Sequence, residues 1–208
     1  MNSSDIVKAF TQNPYVQLAT FFIIFNPCLW NVLGRFEYKT KLVSRTVGRE
    51  TGVYACAVLI FTLGLVRDAF FEMAIASCKL DNQVPNPLDT VYLRCVGWLI
   101  GVSGWVLVIS SMYRLGIVGT YLGDYFGILF PAKITAFPFS HFDHPMYQGA
   151  TMAFMGTALA QASPVGVVLA GLAGLVYTIA GMIEGPFTAM IYSAGKPQLR
   201  PKRKTKYY

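Results

Sequence analysis

LGIVGTYLGDYFGILFPAKITAFPFSHFDHPMYQG, residues Leu115 to Gly149, lies between two long apolar runs and belongs to neither. It mixes glycines, prolines, aromatics, Asp124 and Asp143 with the only two histidines of the chain, His141 and His144. A segment that merely crossed a bilayer would not tolerate that mixture, because irregular backbone at membrane depth survives only when buried in protein or lining a cavity. The stretch therefore reads as the floor of a site at the edge of a membrane. Polar and ionisable groups beside apolar spans are functional candidates by default.

Working outward, four apolar segments stand out: about Tyr15–Leu33, Val53–Val66, Val91–Tyr113 and Met152–Ile183. A span needs about 20 apolar residues. The third qualifies directly. The second must borrow residues at both ends. The fourth exceeds the length and is divided by Ser163-Pro164, so only its second half need cross. The first carries Asn26-Pro27 in its middle, where proline removes a helix hydrogen bond, so it either crosses or enters and returns. The expectation is an all-α integral membrane protein. It would be one domain over residues 1–208, a small bundle of three or four transmembrane helices with the first crossing or re-entrant.

Composition agrees. Hydrophobic residues make up 54% and charged residues 13% of the 208, against about 25% charged in soluble domains. With no soluble domain to carry it, nucleic-acid binding is excluded. The net charge of +7 is concentrated in a tail (Lys196, Arg200, Lys202, Arg203, Lys204, Lys206) and a loop (Arg35, Lys39, Lys41, Arg45, Arg49). The tail predicts a cytosolic C-terminus. With the spans counted as above, the Arg35–Arg49 loop would fall on the lumenal side, against the usual bias. The four cysteines lack metal or redox spacing and read as small apolar residues. No cleaved signal peptide is expected, because the first run ends without an A-x-A site.

Several side chains have chemical potential. Glu184 directly follows the fourth run, where a carboxylate costs free energy unless partnered. It is either an interfacial group reaching water or an acceptor for a ligand hydroxyl, amine or cation. Gly101-Val102-Ser103-Gly104 interrupts the third span, as a packing notch or as a place where backbone approaches a cofactor. Asp124 is either a turn residue or a carboxylate for a substrate amine. His141, Asp143 and His144 are spaced so that zinc could be imagined, but a fourth ligand is missing and no metal is expected. His144-Pro145-Met146-Tyr147 reads instead as a turn aiming His144 and Tyr147 into a site.

Taken together, these residues resemble the small phospholipid N-methyltransferases. The likeness runs from about Phe25 to Tyr192. It rests on Phe25-Asn26-Pro27 with Trp30-Asn31, Arg35 and Glu37, Val106-Leu107-Val108, Ser110-Ser111, and the block Gly119-Thr120-Tyr121-Leu122-Gly123-Asp124-Tyr125-Phe126-Gly127-Ile128-Leu129. Phe137-Pro138-Phe139, Pro145-Met146-Tyr147 and Pro186-Phe187-Thr188-Ala189 complete it. The resemblance implies S-adenosylmethionine-dependent N-methylation of phosphatidylethanolamine or its mono- and dimethylated forms. It implies cofactor binding through a G-x-G element, here Val102-Ser103-Gly104, and a Glu-Glu pair, here Glu184-Gly185. This sequence thus carries Val for the first glycine and lacks the second carboxylate. Asp124, His144 and Tyr147 become the candidates to orient or deprotonate the amine, with Tyr121, Tyr125, Phe137 and Phe139 walling the site. The partners implied are the lipid bilayer and a phospholipid substrate. The resemblance also implies an endoplasmic reticulum location, and Lys204 and Lys206 have the spacing of a retrieval signal. Two other readings stay open: a membrane methyltransferase for another acceptor, such as a prenylcysteine carboxylate, and a non-catalytic relative.

Overall fold

Proline and its preceding cap residue open three of the helices. In the computed structural model, which describes residues 3–78, 86–131 and 134–194, a short α1 (Ser3–Gln12) leads into α2 (Pro14–Thr40). The Asn13 side chain accepts from the Tyr15 and Val16 amides at the start of α2, satisfying donors that every helix start leaves free. A six-residue α3 (Leu42–Val47) precedes α4 (Arg49–Ser77), followed by α5 (Val91–Thr120), α6 (Pro145–Ala160) and α7 (Pro164–Ala194). Ser163 Oγ accepts from the Gly166 amide, so the Ser163-Pro164 break read from sequence is a helix start. All described regular structure is helical.

Four helices, α2, α4, α5 and α7, are long and apolar enough to cross a bilayer. The first apolar segment is thus continuous helix, and its 27 residues span about 40 Å. Pro27 deprives the Ile23 carbonyl of its helix donor, yet the helix runs through. Buried Asn26 beside it donates to the Leu63 carbonyl of α4 at 3.0 Å, and Asn31 donates back to the Pro27 carbonyl at 3.0 Å. The side-chain amide donors of both asparagines are thus bonded to backbone carbonyls inside the bundle, while the Oδ1 of each is buried without a partner among the described residues.

The sixteen residues of α6, about 24 Å long, settle the chain's path. Gly97 faces Ala160, Gly101 faces Gly156, and Gly104 faces Gly149 and Ala153, so α6 runs antiparallel along α5. In turn Gly166 faces Ala158, Gly174 faces Thr151 and Gly181 faces His144, so α7 runs back along α6. The α6–α7 hairpin therefore returns the chain to the end of the bundle where α2 finishes. This corrects the expectation that the Arg35–Arg49 loop and the C-terminal side lie on opposite faces. Arg35 donates to the Ile183 carbonyl at 2.8 Å and its guanidinium sits 4.6 Å from the Phe187 ring centre, so the basic loop and the end of α7 are together. The basic tail itself lies outside the described residues.

Two apolar clusters hold the bundle. One joins the first half of α2, the second half of α4, α6 and α7 around Ile23, Phe71, Phe154 and Tyr177. The other, at the opposite end, packs Leu122, Tyr125 and Phe126 of the loop after α5 onto Val53, Cys56 and Ile191. Gly116, at φ 61° and ψ −177°, breaks the α5 axis just before that loop, a conformation glycine adopts without cost. Elsewhere the surface is apolar, with Phe61, Trp98, Trp105, Ile109, Leu175 and Met182 exposed, as suits a lipid-facing wall.

Candidate active site

A chamber of about 470 Å³ lies between α4 and α5, floored by α6 and closed behind by α7, within the usual range for small-molecule sites. Its flank is open because α4 and α5 barely meet, whereas α5 packs tightly on α6. That flank is apolar, with Ile60, Leu65, Val108 and Met112 among its residues.

At one end stands a hydrogen-bonded group of three side chains. Tyr147, in the first turn of α6, donates its hydroxyl proton to Glu184 Oε2 of α7 at 2.7 Å. Trp30 of α2 donates its indole N–H to the same hydroxyl at 3.1 Å. Indole is a donor only, so it takes one of the two hydroxyl lone pairs and the proton goes to Glu184. The second lone pair is left to receive an N–H. All three residues line the chamber, with Tyr121, Phe139, Asp143 and His144 beside them. Pro145 places this constellation: it starts α6, so His144-Pro145-Met146-Tyr147 is a helix start rather than a free turn. The His144 ring lies against α7, its Cδ2 only 3.0 Å from where a Cβ on Gly181 would stand. The same ring reaches 4.0 Å from a Cβ built on Gly185, so a larger residue there would meet it.

Of the residues singled out from sequence, Glu184, Tyr147, His144, Tyr121 and Phe139 come together. Asp124 does not line the chamber. Its Oδ1 accepts from the Tyr125 amide at 3.0 Å and its Oδ2 from the Thr188 hydroxyl at 3.4 Å, which fixes the loop to α7. Burial pushes the Asp124 carboxyl above the usual carboxylate range, against the lowering effect of those bonds. Tyr125 is buried and stacks on Phe187, while Phe137 is exposed and meets His141 edge-on. His141 shares a 2.7 Å hydrogen bond with Ser140. Val102 and Ser103 face outward, and none of the trio Val102, Ser103, Gly104 lines the chamber. A Cβ on Gly104 would stand 2.5 Å from the Gly149 carbonyl oxygen and 2.7 Å from the Ala153 nitrogen. That glycine is spent on helix contact.

Two participants escaped sequence reasoning. Trp30 was visible only as part of a motif, with no sign of its bond to Tyr147. Arg67 of α4 lines the chamber, ion-pairs with Asp68 at 2.8 Å and donates to the Tyr177 hydroxyl at 2.6 Å. The signal was a charged pair directly after the second apolar run.

Comparison with known proteins follows the same lines. A family profile described as phospholipid methyltransferase matches residues 93–195. The phosphatidyl-N-methylethanolamine N-methyltransferase of Saccharomyces cerevisiae is 43% identical over 183 residues, 88% of this chain and 87% of the relative. The enzyme of the same name in Neurospora crassa is 46% identical over 82% of this chain and 79% of its own. The Homo sapiens phosphatidylethanolamine N-methyltransferase is 41% identical over 86% of this chain and 89% of its own. No solved structure matches the chain.

Proposed function

Since the chain belongs to the phospholipid methyltransferase family, we propose that it transfers methyl groups from S-adenosylmethionine to the amine of phosphatidylethanolamine and its mono- and dimethylated forms, toward phosphatidylcholine. The observation that carries this reading is the Trp30–Tyr147–Glu184 group at the end of a chamber open sideways to lipid.

S-adenosylmethionine, when bound, supplies an electrophilic methyl group on a sulfonium. The chamber fits it by chemistry: the Glu184 carboxylate suits ribose hydroxyls or a cation, and the aromatic faces of Trp30, Tyr121 and Phe139 tolerate positive charge. Glu184 and the Gly185 backbone are the proposed holding groups on α7. Gly104 serves the site through its contact with α6, which carries Tyr147, whereas Val102 and Ser103 face outward.

The lipid amine is the nucleophile, and it must be neutral. With a Lys-like pKa of about 10.4, deprotonation at pH 7 costs roughly 4–5 kcal/mol. Alignment of two reactants can contribute about 7–11 kcal/mol, so no strong base is needed, only a route for one proton per methyl accepted. The free lone pair of Tyr147 accepts an ammonium N–H. As the hydroxyl takes that proton it passes its own to Glu184, and charge never builds on the tyrosine. His144 and Asp143, at the same end, connect the chamber to water. Three methyls exhaust the nitrogen lone pair and end the sequence.

Both basic stretches sit at the end of the bundle that holds Glu184, or continue from it. By the positive-inside bias that end is cytosolic, where a soluble donor enters, and the membrane is that of the endoplasmic reticulum. The test is purified protein with methyl-labelled S-adenosylmethionine and, in turn, phosphatidylethanolamine, its two methylated forms and a prenylcysteine peptide. Label is expected in the lipids alone. Label in the peptide, or none in any lipid, would overturn the proposal.

A further inference from the structure

Arg67 has no part in the proton route, yet it is a cation held inside an apolar wall, its side chain 14% exposed. A guanidinium has five N–H groups. Nε and Nη2 share Asp68 Oδ1 at 2.9 and 2.8 Å, and Nη1 donates to Tyr177. One N–H on each of Nη1 and Nη2 remains beyond these bonds. We propose that Arg67 binds the phosphodiester of the lipid substrate, and so sets where the amine lands; this deepens the phospholipid reading and rests on it.

The spacing supports the assignment. Tyr177, at the guanidinium, and Glu184, at the Tyr147 hydroxyl, are seven residues apart on α7, which puts them on one face about 10 Å apart along the axis. Tyr147 stacks on Tyr177 with ring centres 5.4 Å apart, so the two polar points are joined by one aromatic wall. In an ethanolamine headgroup, four bonds of about 1.5 Å separate phosphorus from nitrogen, a reach of roughly 5 Å. A hydrogen bond of about 3 Å at each end brings the anchoring groups to a separation near that of Tyr177 and Glu184. Charge agrees as well. A cation at one point and a carboxylate at the other complement a zwitterion, which brings no net charge into a medium of low dielectric constant. The apolar gap between α4 and α5 lets such a lipid enter from the bilayer with its chains left outside. A soluble donor, whose carboxylate is the other anion at hand, enters instead from the end carrying Asp143 and His144.

The experiment compares, in mixed micelles, a phosphatidyl-N-methylethanolamine with its O-methyl phosphotriester, which adds one methyl group and has no anionic phosphate. The full-length protein should prefer the diester by roughly 10- to 100-fold in kcat/KM, the range for a hydrogen bond to a charged group. Arg67→Gln should abolish that preference by raising KM for the diester alone, Arg67→Lys should restore part of it, and KM for S-adenosylmethionine should not move. Equal use of both lipids by the unaltered protein would overturn the proposal without any variant. So would an equal loss on both lipids in Arg67→Gln, the mark of a structural role, or a raised KM for S-adenosylmethionine only. No label in either lipid from the unaltered protein would instead remove the parent reading, and the proposal with it.

Discussion

Tyr147 shows how much chemistry one hydroxyl can hold when its partners are fixed. Trp30 can only donate to it and Glu184 can only accept from it while ionised, so the direction in which the proposed relay would pass a proton is set by residue type. Tyr147→Phe removes the route and leaves the Trp30 N–H and the carboxylate each short of a partner, at a cost of about 1–3 kcal/mol in stability. Methyl transfer at pH 7 should fall by about 10²- to 10⁴-fold, the usual contribution of a positioned acid–base group. At pH 9.5 more of the amine is already neutral, so the deficit should narrow there. A rate ratio between variant and parent that stays flat from pH 7 to 9.5 would deny Tyr147 the relay. Glu184 was legible as an apolar-edge carboxylate and Tyr147 as a motif residue. Their bond was not, because it joins α6 to α7 across 37 positions and no local pattern encodes it. Asp124 kept two readings in sequence, a turn residue or a carboxylate for the amine, for the same reason: nothing local marks its partner, and only the fold reveals Thr188 beside it.

Helices α5 and α6 touch through glycine because lipid offers no hydrophobic drive to hold them together, and close backbone approach must supply the attraction instead. A Cβ at Gly156 would stand 2.3 Å from the Gly101 nitrogen, and one at Gly104 2.5 Å from the Gly149 carbonyl oxygen. Backbone cannot swing aside as a side-chain tip can. Gly104→Leu should therefore push α6 off α5, displace Tyr147 and abolish methyl transfer along with thermal stability. Gly64→Ala, on α4, where an added Cβ meets nothing within 4 Å, should leave stability within about 0.5 kcal/mol. Thermal unfolding of both variants in detergent checks this, and a Gly104→Leu protein that melts with the parent would refute the packing role. The third apolar run and the Ser163-Pro164 break were readable because length and a proline are local signals. The continuity of α2 was not, since the partner that lets Asn26-Pro27 stay helical is the Leu63 carbonyl of another helix.

At the scale of the whole molecule, the helix that decides sidedness is the one too short to be counted. Sixteen residues in α6 fall below the roughly 20 needed to register as a span, so a tally of apolar runs loses one pass and separates the Arg35–Arg49 loop from the end of α7, which the fold brings together. With that pass restored, α3 and the end of α7 share one end of the bundle, while α1 lies at the other, where Asn13 donates to Ser77 at 2.9 Å and Asn86 donates to the Ala162 carbonyl at 2.7 Å. Under the proposed reading, the positive-inside bias acting on the Arg35–Arg49 loop turns that end toward the cytosol, with the donor entrance beside it. In a cysteine-free background, Thr46→Cys in α3 and Ser193→Cys in α7 should react with an impermeant maleimide applied to sealed microsomes whose cytosolic face is outward. Thr11→Cys in α1 should react only after the membrane is opened. Labelling of positions 46 and 193 from opposite sides would break the α6 pass itself. Labelling of both only after opening would keep the fold but reverse its orientation, and with it the side from which the soluble donor must arrive.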